Sequence, residues 1–200
     1  MFSTEEVIRF FDRLAPDWDS NLVRNDDVIT TILDNAKVTE GKDILDVACG
    51  TGVLIPDYLA RNVSSVTAID ISPKMAEIAQ AKFVQPNVSV LCGDVEKMDA
   101  ERLYDCIVVY NAFPHFADPE RLTGHLVSLL KPGGILTVAH GMSREKINAH
   151  HSGTALNISN GLMPAEQLAS IFEKYLNVTT LISDDRMYQV AGVKRYDACF

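Results

Sequence analysis

Five short apolar runs, alternating with helical segments, organise the middle of this 200-residue chain. They are residues 44–48, 66–69, 88–91, 106–110 and 135–139. The fourth, Cys106-Ile107-Val108-Val109-Tyr110, is continuously apolar, as strands buried on both faces are. Such β–α alternation predicts an α/β fold: a parallel sheet with helices on both faces. Two helices precede it. Ser3 and Glu6 have capping-box spacing, and Val7, Phe10, Phe11 and Leu14 follow at helical intervals until Pro16. Val28, Ile29, Ile32, Leu33 and Ala36 mark one face of a second helix over 26–37. Pro73, Pro119 and Pro164 sit where later helices open, the last running to about Tyr175. The helix opened by Asp118-Pro119 ends at Lys131-Pro132-Gly133-Gly134, and a short one falls near 144–149. Residues 178–182 and 187–193, separated by Ser183-Asp184-Asp185-Arg186, have hairpin spacing. The sum is a seven-stranded, mostly parallel sheet with an antiparallel C-terminal hairpin.

Charge and composition narrow the partners. Asp and Glu outnumber Lys and Arg by 27 to 18, for a net charge of −9. That balance argues against nucleic acid, whose phosphates need a cationic surface. No run of about 18 apolar residues occurs, and the N-terminal ten residues lack an apolar signal core, so neither a membrane span nor a secretory leader is expected. Cys49, Cys92, Cys106 and Cys199 form no Cys-x-x-Cys pair and fit buried thiols of a reducing cytoplasm. The length suits one domain, as a monomer or homodimer.

In parallel sheets ligands bind outside the carboxyl ends of the strands, where the topology switches. The unusual residues lie there. Asp46-Val47-Ala48-Cys49-Gly50-Thr51-Gly52 ends the first strand. Its glycines permit a sharp turn and a close approach to main-chain N–H groups. A dinucleotide fingerprint would carry a third glycine where Ile55 stands. A carboxylate at Asp46 suits a ligand that presents an ammonium. Asp70 ends the second strand, where an acid can accept both hydroxyls of a ribose. The alternative role, capping the next helix, falls better to Ser72. Asp94 follows the third strand, where it can accept from an exocyclic amine or simply shape the turn. Together these residues describe a nucleoside with an amino-acid tail.

With these motifs the chain resembles the class I S-adenosylmethionine-dependent methyltransferases, in particular the small-molecule group that includes the ubiquinone and menaquinone methyltransferases. The resemblance covers most of residues 1–140. It includes Gly93-Asp94-Val95, the strand 104–110, Lys131-Pro132-Gly133-Gly134 and the segment Phe11-Asp12-Arg13-Leu14-Ala15-Pro16-Asp17-Trp18-Asp19. It implies a Rossmann-like three-layer sandwich and S-adenosylmethionine as cofactor. Asp46, Ala48, Cys49, Gly50 and Gly52 would hold the methionine part, and Asp70 the ribose. Ile71 would pack on the adenine, Asp94 and Val95 would meet its edge, and Asn111 would lie below the sulfonium. Trp18 joins this cofactor-binding set. Ala48 departs from the glycine common in the family.

Two histidines are candidate catalytic residues. His115, in Asn111-Ala112-Phe113-Pro114-His115-Phe116, follows the fourth strand; His140 follows the fifth. Imidazole suits general base work, although a loop histidine can equally shape a pocket wall. His115, His140, His150 and His151 could converge on a metal, but no metal is assigned. His125 reads as a packing or surface residue. The expected organisation is a helical cap (1–40), a cofactor-binding core (41–140), a substrate lid (141–163, with Phe11 and Trp18), then a helix and hairpin (164–200). The expected activity is methyl transfer to a small-molecule acceptor. The alternatives are a regulatory cofactor-binding protein without turnover and a nicotinamide oxidoreductase.

Overall fold

The computed structural model describes residues 2–151 and 158–196. Helix α1 (Thr4–Leu14) begins at a closed capping box: Glu6 N donates to Ser3 Oγ, and Ser3 N donates to Glu6 Oε2. After two short 3-10 turns comes α2 (Asp26–Asn35), capped by Asn25. The alternating unit follows as β1 (Asp43–Val47), α3 (Ile55–Ala60), β2 (Ser65–Asp70), α4 (Pro73–Lys82), β3 (Val88–Cys92), β4 (Tyr104–Tyr110), α5 (Pro119–Ser128) and β5 (Leu130–His140). The chain then forms α6 (Arg144–His151), α7 (Ala165–Phe172), β6 (Leu176–Ser183) and β7 (Tyr188–Lys194). Ser72 and Asp118 cap α4 and α5, each ahead of a proline at the first helical position.

All seven strands join one sheet in the order β3-β2-β1-β4-β5-β7-β6. Strands β1 to β5 pair in parallel. Strand β7 inserts between β5 and β6 and is antiparallel to both, as the expected hairpin requires. The order reverses between β1 and β4, and the carboxyl ends on either side of that reversal define the ligand face.

The pleat of β4 divides the core. Ile107 and Val109 face a cluster with Leu122 and Leu126 of α5 and Leu168 and Phe172 of α7. Cys106 and Val108 face the opposite cluster, with Ile29 and Leu33 of α2 and Ile55 and Tyr58 of α3. Helices thus cover both faces, in a three-layer sandwich.

Two expectations shift. Strand β5 begins at Leu130, so Lys131-Pro132-Gly133-Gly134 lies inside the strand and α5 stops at Ser128. The cause is a bulge: Tyr104 pairs with Leu130, but Cys106 already pairs with Ile135. Gly133 turns the chain there with φ +75°. Cys49 and Cys106 are buried, whereas Cys92, the last residue of the edge strand β3, is exposed. Cys199 lies outside the described residues. Among the described residues no helix is long and apolar enough to cross a membrane.

Candidate active site

A cleft opens at the carboxyl ends of β1, β2, β3 and β4. Ten of the eleven expected cofactor residues line it: Trp18, Asp46, Ala48, Cys49, Gly50, Asp70, Ile71, Asp94, Val95 and Asn111. The exception is Gly52. It sits at φ +84° with a Cβ position that would collide with the Phe83 ring, so it serves helix packing rather than the cleft wall.

The floor is acidic. Asp46 is 2% exposed, and its Oδ2 has no hydrogen-bond partner among the described residues. Burial, reinforced by the nearby Asp70, pushes its carboxyl up to about 8, against a smaller pull from the Tyr58 hydroxyl. Asp70 accepts from the amides of Gly50 (2.7 Å) and Ser72 (2.9 Å). Burial raises its pKa, and those two amides oppose the rise. Asp94 accepts from Glu96 N, so the turn-forming role is present as well. Trp18 Nε1 is a second buried polar atom without a partner on this cleft. An orphan acceptor and an orphan donor in one cleft fit a ligand that carries both kinds of group.

Two non-glycine residues of the wall have left-handed backbones, Ala48 and Asn111, each at φ +54°. Asparagine tolerates that region, whereas alanine costs about 1–2 kcal/mol there. Such strain collects at functional sites, where the surroundings impose it. Asn111 Oδ1 accepts from Gly141 N at 3.0 Å and ties the end of β4 to the end of β5.

The N-terminal segment forms the cover. Phe2, Val7, Phe11, Trp18 and Leu22 line the cleft. Two carboxylates latch this cover to the core. Asp12 accepts from Ser72 Oγ at 2.6 Å, and Asp19 accepts from Thr51 Oγ1 at 2.6 Å and from Lys82 at 2.8 Å. Asp12 and Asp19 stand in the Phe11–Asp19 motif, but nothing local reveals their roles, because their partners lie 60 and 32 residues away. Phe116 and Tyr110, not among the expected residues, also line the wall.

The two candidate catalytic histidines part company. His115 lines the cleft, half-buried against Phe11 with ring centroids 5.0 Å apart. Its Nδ1 lies 2.9 Å from the Ile158 carbonyl, which can only accept, so Nδ1 carries the proton. Burial lowers its pKa, partly offset by that hydrogen bond. His140 is 1% exposed and does not line the cleft. It is paired within β5 and packs edge-on against Tyr188 of the inserted β7, with centroids 6.0 Å apart. The pleat turns it into the core, which corrects the expectation that it points to the ligand. No metal-binding cluster occurs among the described residues, and the side chains of His150 and His151 lie outside them. His125 packs as expected, with Nε2 2.8 Å from the Val95 carbonyl.

Comparison with known proteins accords with this geometry. Residues 44–134 match a protein family described as a methyltransferase domain. A malonyl-[acyl-carrier protein] O-methyltransferase of Priestia megaterium is 32% identical over 136 residues, 65% of this chain and 49% of that protein. A ubiquinone biosynthesis O-methyltransferase of Coxiella burnetii is 32% identical over 142 residues, 66% and 59% of the two chains. The chain thus spans about half the length of the curated relatives it matches. Among solved structures, a chain from the complex of the Haloferax volcanii Trm112 methyltransferase activator with a methyltransferase superposes with TM-score 0.83. It is 20% identical and is matched over 97% of this chain and 100% of that one. The N-methyltransferase NodS from Bradyrhizobium japonicum, complexed with S-adenosyl-L-homocysteine, gives TM-score 0.73 at 16% identity, over 96% and 99%. Both share the Rossmann-like fold.

Proposed function

We propose that this chain, whose residues 44–134 match the methyltransferase domain family, is an S-adenosylmethionine-dependent methyltransferase acting on a small-molecule acceptor. One observation carries the reading: three carboxylates, Asp46 inside β1, Asp70 at the end of β2 and Asp94 just after β3, meet in one cleft around a left-handed glycine at Gly50. Asp46 would take the ammonium, Asp70 the ribose hydroxyls, and Asp94 with Val95 the adenine edge. Ile71 would pack on the base, and Trp18 would offer its N–H.

When bound, the cofactor supplies an activated methyl on a sulfonium, and transfer is an in-line displacement. The chain's part is chiefly to orient two reactants, which can contribute ~7–11 kcal/mol. Asn111 holds the floor below the reacting centre through its bond to Gly141 N. Phe11, Trp18 and Phe116 keep water from the cleft. His115, whose Nδ1–H donates to the Ile158 carbonyl, is the imidazole on the wall that would take a proton from acceptors that must lose one. His140, buried away from the cleft, is not assigned a catalytic step.

The described residues of 141–163 border the acceptor in this reading, the protein is cytoplasmic, and it works as a monomer or homodimer. A nicotinamide cofactor fits less well, because Ile55 is fully buried in the core where the dinucleotide fingerprint has glycine. Calorimetric titration with S-adenosylmethionine, S-adenosylhomocysteine and NAD tests the proposal. Micromolar binding of the first two and none of NAD is expected; failure of both adenosyl compounds to bind overturns it. Methyl consumption against an acceptor panel then separates an enzyme from a cofactor-binding protein without turnover.

A further inference from the structure

A second cavity, of about 580 Å3, lies across the 113–117 loop from the cofactor cleft. Phe116 belongs to the walls of both. Its far wall is the strip from Ser159 to Met163, with Arg144, Asn148 and Gln167 beside it. The walls are pinned by hydrogen bonds. Asn160 N donates to the Pro114 carbonyl at 2.9 Å, and Asn160 Nδ2 donates to the Phe116 carbonyl at 3.1 Å. Asn148 accepts from Leu162 N at 2.7 Å and donates to the Leu162 carbonyl at 3.1 Å.

The two spaces differ in charge. The cofactor cleft is lined by Asp46, Asp70, Asp94 and Glu96, and its one cation among the described residues, Arg121, is paired with Glu96 at 2.8 Å. The second cavity has no carboxylate among its described lining residues, in a chain of net charge −9. It has Arg144 instead. Arg144 donates Nε–H to the Leu162 carbonyl at 2.9 Å, which sets the guanidinium in the wall. It makes no ion pair among the described residues. Glu145 and Glu166, on α6 and α7, are exposed, and neither reaches ion-pair distance of it. A half-buried guanidinium with no carboxylate partner is the group that planar oxyanions match through paired N–H donors. Phe113, Pro114, Phe116, Leu162 and Met163 supply an apolar surround. The volume is that of a small-molecule site.

We infer that this cavity is an anion subsite for the methyl acceptor, in which Arg144 holds a carboxylate or phosphate group while the acceptor's apolar body lies against Phe116. The inference rests on the methyltransferase reading and gives it a substrate class: a compact molecule with an apolar body and one anionic end. The cation-bearing cofactor and the anionic acceptor thereby occupy spaces of opposite charge with one aromatic side chain between them. Arg144 is a specificity determinant here; it takes no part in bond making.

The test uses the full chain with methyl-13C methionine, titrated with phenylacetate, phenyl phosphate and neutral phenylacetamide, with and without S-adenosylhomocysteine. One anion is expected to bind at least tenfold more tightly than the amide and to shift the Met163 methyl resonance. Which anion is tighter distinguishes a carboxylate from a phosphate. Arg144→Gln is expected to abolish the preference while S-adenosylhomocysteine affinity stays unchanged. Arg144→Lys, which keeps the charge but not the fork, retains part of it and guards against a folding defect. Equal binding of amide and anions, binding of none, or a preference that survives in Arg144→Gln overturns the inference. Failure of the wild-type chain to bind S-adenosylhomocysteine, with the anion preference intact, would strike the methyltransferase reading instead.

Discussion

The amide of Gly50 donates to Asp70 Oδ2 at 2.7 Å, so the glycine loop after β1 and the carboxylate ending β2 form one rigid corner of the cleft. Asp70 also accepts from Ser72 N at 2.9 Å and thereby orients the start of α4. Replacing Asp70 by Ala leaves two amides without their acceptor, each worth ~1–3 kcal/mol when buried. Asp70→Ala is therefore expected to lower stability in denaturant melts. It should also weaken S-adenosylhomocysteine binding at least tenfold by calorimetry.

The raised carboxyl of Asp46, at about 8, gives stability a defined pH dependence. Between the ordinary carboxylate value of 3.8 and about 8 the folded state holds a proton that the unfolded state has released. Stability of the ligand-free protein should therefore fall as pH rises through that window. Asp46→Asn is expected to flatten this slope in thermal melts. A bound ammonium needs the ionised form, so binding should release a proton at pH 7. Calorimetry in buffers of different ionisation enthalpy measures that release.

Gly52 and Gly41 provide a matched pair, at φ +84° and +76°. Alanine at either position pays the left-handed backbone cost. At Gly41 nothing lies within 4 Å of the added Cβ, whereas at Gly52 it meets the Phe83 ring. Gly52→Ala should therefore be the more destabilising by ~1–3 kcal/mol, the typical cost of overpacking. Equal loss in urea melts would contradict the packing role given to Gly52.

His115 has its pKa lowered from 6.5 by burial. Its ring C–H signal should titrate with a midpoint below 6.5 in NMR. Because the unfolded chain binds that proton more readily, stability should fall as pH drops below 6.5 and continue to fall down to the folded midpoint. His115→Gln is expected to remove this contribution. If an acceptor needs proton removal, the same variant should slow methyl transfer at pH 7 by roughly 10²–10⁴-fold.

The boundary between what could be read from the chain and what could not follows the range of the interactions. Helix starts at Ser3, Ser72 and Asp118 were legible because a cap is made within three residues. Strand positions were legible because buried β-branched runs and glycine turns are local patterns, and their alternation dictates a parallel sheet. The cleft residues followed from that, since strand ends in such a sheet share one face. Side-chain direction at the sheet's margin was not legible. His140 was expected beside His115, yet pairing with β7 sets the pleat that turns it toward Tyr188. The start of β5 was misplaced for the same reason, because the bulge opposite Tyr104 exists only once β4 and β5 pair. The latches Asp12–Ser72 and Asp19–Thr51 join segments 60 and 32 residues apart, and Arg144 meets Leu162 across 18 residues. Sequence alone determined the sheet, its caps and the acidic face at the strand ends, all built from neighbours along the chain. Tertiary structure decided which histidine reaches the cleft, what covers it and where an anion could sit, because those depend on register and on contacts that close only after folding.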